Sequence, residues 1–220
     1  MIINTSYYRS GSLHIPNHDV TTRTRNGEQS QANDLQAFID TNERVYLIRT
    51  LNADLWNAIT GSLDQTGAVE DAAPQWVKYL LNGYTYEIEG VKRVWDGLKH
   101  PQSCLVYYVF TKWFEDNQYA NLQAGLSQLK DNGSMRVNPS DFHQTQWNTF
   151  VYKHQGERDF NQLPQVYEYT HGTLIDYMPS NQKDGFASLL QYLEDYETLF
   201  PETFENLNTR TYERINSFGL

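Results

Sequence analysis

LLNGYTYEIEGVKRVWDGLKHPQSCLVYYVFTKWFE, residues 80–115, runs a short aromatic hairpin straight into a helix that is apolar on nearly every side. Glu89-Gly90 is a two-residue turn, and pairing outward from it sets Ile88 against Val91, Tyr86 against Arg93 and Tyr84 against Trp95. The same register sets Glu87 against Lys92 on the opposite face, so one face of the ribbon is aromatic and the other polar. After it, Leu105, Val106, Tyr107, Tyr108, Val109, Phe110, Trp113 and Phe114 leave no polar stripe, which predicts a helix surrounded by other elements.

Working outward, residues 1–30 are rich in Asn, Thr, Ser, Arg and His, lack helical periodicity, and read as an extended arm. From Asn33 a short helix leads to Thr41, which can cap a longer one carrying Val45, Ile48, Leu51, Leu55, Ile59 and Leu63 at helical steps. Asp64–Ala73 is a polar loop, and Pro74 sits in the first turn of a helix whose core face is Trp76, Val77, Leu80 and Leu81, stopped by Gly83. Asn121–Val137 reads as loop with at most a weak strand pair. Asn138-Pro139-Ser140-Asp141 starts a helix that ends with Lys153, His154 and Gly156. Val166–Tyr177 suggests a second hairpin, and Ser180 caps a helix through Phe186, Leu189, Leu190, Leu193, Tyr196 and Phe200, interrupted by Pro201. The last stretch reads as a final helix or a docked tail.

The segment Trp76-Val77-Lys78-Tyr79-Leu80-Leu81, Tyr84-Thr85-Tyr86, Trp95-Asp96-Gly97-Leu98-Lys99, Tyr107-Tyr108-Val109-Phe110 resembles the head-tail connector (head completion) proteins of tailed phages, in particular those of crAss-like phages and related prophages of gut bacteria. The resemblance spans roughly residues 41–157, about half the chain, and rests on spacing and aromatic type rather than a catalytic signature. It implies a structural virion protein made in the bacterial host cytoplasm. Its copies would form a closed ring of twelve at the head-tail junction, bound to the portal and to other neck or tail rings, with genomic DNA passing through the channel.

Composition sets independent bounds. A net charge of −10 argues against a general nucleic-acid binder, which concentrates Lys and Arg against phosphate. It suits a conduit, because tight phosphate binding would hinder passage. No apolar run approaches the roughly 18 residues of a membrane span, and residues 1–20 lack the pattern of a signal peptide. The single Cys104, inside the most apolar helix, reads as a small buried hydrophobe.

No phosphate loop, GxSxG, HExxH or paired-Cys motif is present. His14 and His18 have helical ligand spacing, but Pro16 between them removes its geometric basis. Neighbouring carboxylates such as Glu115-Asp116 diverge on a helix rather than converge on a substrate. The sequence therefore points to no enzyme, cofactor or metal.

Aromatics make up 14% of the residues, and those in ribbons and arms are harder to bury within one subunit. Tyr7, Tyr8, Tyr84, Tyr86, Arg93, Trp95, Tyr167 and Tyr169 are accordingly candidate interface residues. Arg9, Arg23 and Arg25 at one end and Glu194 and Asp195 at the other add opposite charges that a head-to-tail ring can use. The expected architecture is mainly α: about four core helices at 33–62, 74–82, 101–118 and 139–155 form a bundle with short β-hairpins and extended terminal arms. Residues 1–30 would be the arm, 31–160 the connector domain with hairpin 84–95, and 161–220 a C-terminal extension. The rival readings are another neck or tail ring protein, and an independent small-molecule or glycan-binding domain or enzyme.

Overall fold

The computed structural model describes residues 1–15, 21–24, 27–123, 139–156, 185–201, 203, 204, 207 and 210–214. The chain is mainly α with short β elements. Strands β1 (Thr21–Thr24) and β2 (Gly27–Ser30) form a hairpin, followed by α1 (Gln31–Thr50), α2 (Ala53–Thr60) and α3 (Gln75–Asn82). Strands β3 (Tyr84–Ile88) and β4 (Val91–Trp95) lead into α4 (Cys104–Gln123); α5 (Pro139–Gln155), β5 (Gly185–Phe186) and α6 (Leu189–Leu199) complete the described elements.

The β3–β4 register is the expected one, from Ile88↔Val91 through Tyr86↔Arg93 to Tyr84↔Trp95. Glu89 and Gly90 have φ of 51° and 77°, the positive pair that matches a two-residue turn to the twist of its strands. The far edge of β4 takes β5 in parallel, and the Ala187 N–H donates to the Val94 carbonyl at 2.8 Å. Phe186 therefore lies in a strand, not in the helix predicted from Ser180. That helix begins at Leu189, where the Ser188 hydroxyl accepts from the Gln191 N–H.

Helix α4 is the centre of the molecule. Every residue from Cys104 to Thr111 is buried, against α1 through Tyr46–Tyr108 (4.8 Å between ring centroids) and against α5 through Tyr108–Phe150 (5.2 Å). Apolar side chains at all angles around this helix have neighbours on every side. Two glycines allow α3, the hairpin and α4 to meet: Gly83 (φ +96°) ends α3 and Gly97 (φ +91°) crosses it backbone to backbone. Just past the crossing, the Leu98 and Lys99 amides donate to the Leu80 and Leu81 carbonyls of α3, at 3.0 and 2.9 Å.

Two expectations fail at the N-terminal side. The break between the first helices falls at Asn52 rather than Thr41. Asn52 has a φ of 140° and its side-chain oxygen accepts from the Leu55 N–H, so the cap that restarts the helix lies where the chain turns, while α1 runs unbroken through Thr41. The described residues among 1–30 are not an extended arm. Residues 5–8 and 11–13 form short 3-10 turns, Ile2, Ile3, Tyr8, Leu13 and Ile15 join the core, and β1 and β2 pair antiparallel.

The buried carboxylate of Glu43 holds this N-terminal segment, accepting from the Ile2 N–H at 2.9 and 3.1 Å and the Ile3 N–H at 3.0 Å. Burial raises the Glu43 pKa above its ordinary 4.5, against the lowering pull of those two amides. A raised carboxyl means the folded state holds the proton more tightly than the unfolded chain. Its contribution is fully present below the ordinary value and is lost as pH rises through the folded one. The stability of the native chain relative to Glu43→Gln should therefore fall as pH climbs from 4.5, as read from chemical denaturation at a series of pH values. A relative stability that rises over that interval would reverse the assignment.

Candidate functional site

The hairpin carries Tyr84, Tyr86, Arg93 and Trp95 among the expected interface residues, and α6 packs against its aromatic face. Trp95 donates its indole N–H to the Leu80 carbonyl at 3.1 Å and stacks on Tyr192, with centroids 5.1 Å apart and an interplanar angle of 14°. The Tyr86 hydroxyl donates to Asp195 Oδ2 at 2.7 Å, the Arg93 guanidinium pairs with the same oxygen, and Gln191 Nε2 donates to Oδ1 at 2.7 Å. Both charges of the pair are buried, with side chains 8% and 6% exposed, so the carboxylate is satisfied from two elements more than 100 residues apart. Burial, and then the Asp195 carboxylate, push the Tyr86 phenol well above its ordinary value.

These contacts correct the interface assignment. Tyr86, Arg93 and Trp95 of the hairpin and Asp195 of α6 are buried against one another within the chain. Tyr84 is partly exposed and stacks on Tyr79 at 3.8 Å and 17°. Tyr8 is wholly buried, donating to the Val106 carbonyl, and half-buried Tyr7 donates to the Lys99 carbonyl at 2.9 Å. Arg9 and Glu194 are exposed at the surface. Arg23 lies in β1 opposite Glu28, whereas Arg25, Tyr167 and Tyr169 lie outside the described residues. The second hairpin expected at 166–177 also lies outside them.

Sequence reasoning missed a second polar cluster, in the core. The Tyr46 hydroxyl of α1 sits 2.6 Å from His154 Nδ1 on α5, with Cys104 Sγ of α4 at 3.4 Å. His154 Nε2 lies 2.7 Å from the Arg210 carbonyl oxygen, which can only accept, so that nitrogen carries a proton. Burial pushes the Cys104 thiol up to about 11, so it is protonated and unreactive at neutral pH. The cluster joins three helices and the tail, with all three side chains 1% exposed or less, which leaves no room for a substrate. Of the two readings of the last stretch, a final helix or a docked tail, the described residues 210–214 fit the tail, running over α5 without helical structure.

Among the described residues no group of three or more His, Cys, Asp or Glu is placed to hold a metal ion, and no helix is long and apolar enough to cross a membrane. Large apolar side chains left at the surface include Phe186, Leu199 and Phe200, the last 44% exposed at the end of α6.

The fold and these surfaces define a mainly α protein in which the two polar clusters seen among the described residues tie elements together. Comparison with protein-family models, with curated proteins and with solved structures gave no match.

Proposed function

We propose that the chain is a structural subunit of a phage head-tail connector, forming a closed ring beneath the portal and part of the DNA conduit. The observation that carries this reading is the continuity of Trp76–Phe110. The residues that resemble the connector family make one unit, in which α3 ends at Gly83, the hairpin returns, Gly97 crosses Gly83 and α4 enters the core. The polar clusters support the same reading, since each is consumed in holding elements together. Because α6 takes up the aromatic face of the hairpin, contact with neighbours falls to other surfaces, among them exposed Leu199 and Phe200.

Light scattering on the purified chain, alone and with candidate portal protein, tests the proposal. A closed ring or a portal-dependent complex is expected. A strict monomer that ignores portal would overturn it in favour of an independent binding domain or an enzyme.

A further inference from the structure

Tyr212 is seated by α5. Its ring stands edge-on to Phe150 at 4.9 Å, His154 at 5.1 Å and Trp147 at 5.9 Å, while its N–H donates to Gln155 Oε1 at 2.8 Å and its carbonyl accepts from Gln155 Nε2 at 3.0 Å. The ring is therefore fixed at both its faces and its main chain. Its hydroxyl is different: it is buried and has no hydrogen-bond partner in the chain. A buried hydroxyl keeps its desolvation cost uncompensated until something supplies an acceptor.

Positive charge gathers around that hydroxyl. Arg210 Cζ lies 5.4 Å from the centre of the Tyr212 ring. Tyr108 of α4 is 6.3 Å from Tyr212 and 4.8 Å from Tyr46 of α1, and Arg49 follows Tyr46 by three residues on the same side of that helix. Burial raises both phenols, Tyr212 to about 12, while Arg49 and Arg210 pull on both in the opposite direction, so each guanidinium lies within electrostatic reach of each phenol. Both arginines are exposed, and among the described residues neither has an ion-pair partner. Glu115, the carboxylate that also acts on Tyr108, is engaged by Lys112 Nζ at 2.7 Å and His143 Nε2 at 3.1 Å. In a chain with 27 acidic against 17 basic residues, two arginines from separate elements that converge without a carboxylate point to a counter-ion from outside the chain.

We propose that Arg49, Arg210 and the Tyr212 hydroxyl form a binding site for a phosphate monoester. Each guanidinium offers paired N–H donors to an oxyanion, and the phenol O–H offers one more. That donor set suits three terminal oxygens, whereas a carboxylate or a backbone phosphodiester presents two. The site stands on side chains of one copy and does not depend on the ring reading.

Calorimetric titration of the full-length chain with methyl phosphate, at constant ionic strength, tests it. One saturable site is expected, with Arg49→Gln and Arg210→Gln each weakening it by about tenfold or more. Both side chains are exposed, so these variants should melt as the wild type does. Tyr212→Phe should also weaken binding, yet its melting temperature without ligand should not fall, because the hydroxyl has no partner to lose. No saturable binding by the wild type, or unchanged affinity in the Arg49→Gln/Arg210→Gln double variant, would overturn the site. A lowered melting temperature for ligand-free Tyr212→Phe would remove the hydroxyl from it, and equally tight binding of dimethyl phosphate would overturn the choice of a monoester.

Discussion

Asp195→Ala should cost about 3–5 kcal/mol of folding stability, because it strands the Arg93 guanidinium in a buried site with its counter-charge removed. The loss goes beyond one ion pair. The same carboxylate accepts from the Tyr86 hydroxyl and from Gln191 Nε2, so three donors lose their acceptor at once. For a chain of this size the melting temperature should fall by roughly 6–20 °C, read by circular dichroism. Hydrogen exchange should show the α6 amides losing protection first, since the pair, with the Trp95–Tyr192 stack, joins that helix to β4. Arg93→Met combined with Asp195→Leu should recover part of the loss, because apolar groups of similar volume impose no charge desolvation. A single-variant loss below about 1 kcal/mol would mean that the pair does not form in solution.

Gly97→Ala should be nearly as damaging, at about 3 kcal/mol or more, for a reason located entirely in the backbone. At φ +91° a side chain is strained, and the added Cβ would meet the Leu81 carbonyl oxygen at 2.5 Å, the Asn82 carbonyl carbon at 2.7 Å and the Gly83 amide nitrogen closer still. None of these can swing aside as a flexible side chain would. Gly90→Ala is the matched control. Its φ of +77° is also positive, but its Cβ would meet nothing within 4 Å, so only the conformational cost of about 1–2 kcal/mol remains. Urea denaturation of the two variants side by side decides the matter. Equal losses would show that the Gly83–Gly97 approach is not close, and with it would go the structural basis for reading Trp76–Phe110 as one unit.

Much of the local structure was legible because local rules decide it. The Glu89-Gly90 turn admits one register, so every β3–β4 pair followed from it. The residues of α4 were apolar at every angle, and the helix is central. Pro139 and the basic pair at 153–154 marked both ends of α5. The errors arose where a local signal competed with a distant contact. Ile2, Ile3 and Tyr8 sit among polar residues with no periodicity, and nothing near them in sequence announces Glu43, about 40 residues away, whose carboxylate holds their segment. Thr41 looks like a helix cap, but α1 continues through it because its buried face packs on α4. Ser180 reads as the cap in the sequence, whereas Ser188 caps the helix, because nothing in the sequence signals that Gly185 and Phe186 pair with β4.

Taken alone, the sequence determined what depends on neighbours within a few residues: the central helix, the aromatic hairpin and its register, the use of a thiol as a small hydrophobe in an apolar helix, and the acidic balance. Only the tertiary structure decided which of its many tyrosines remain at the surface. A tyrosine in a ribbon has the same composition and spacing whether its ring meets another subunit or its own chain. For Tyr86 and Trp95 the difference is made by Tyr192 and Asp195, about 100 residues downstream, whose approach requires β5 to dock on β4 and α6 to cross the sheet. The tail follows the same logic. Tyr212 has no local reason to be an anchor until α5 presents Trp147, Phe150, His154 and Gln155 on one face, and that arrangement depends on α4 and α5 packing together.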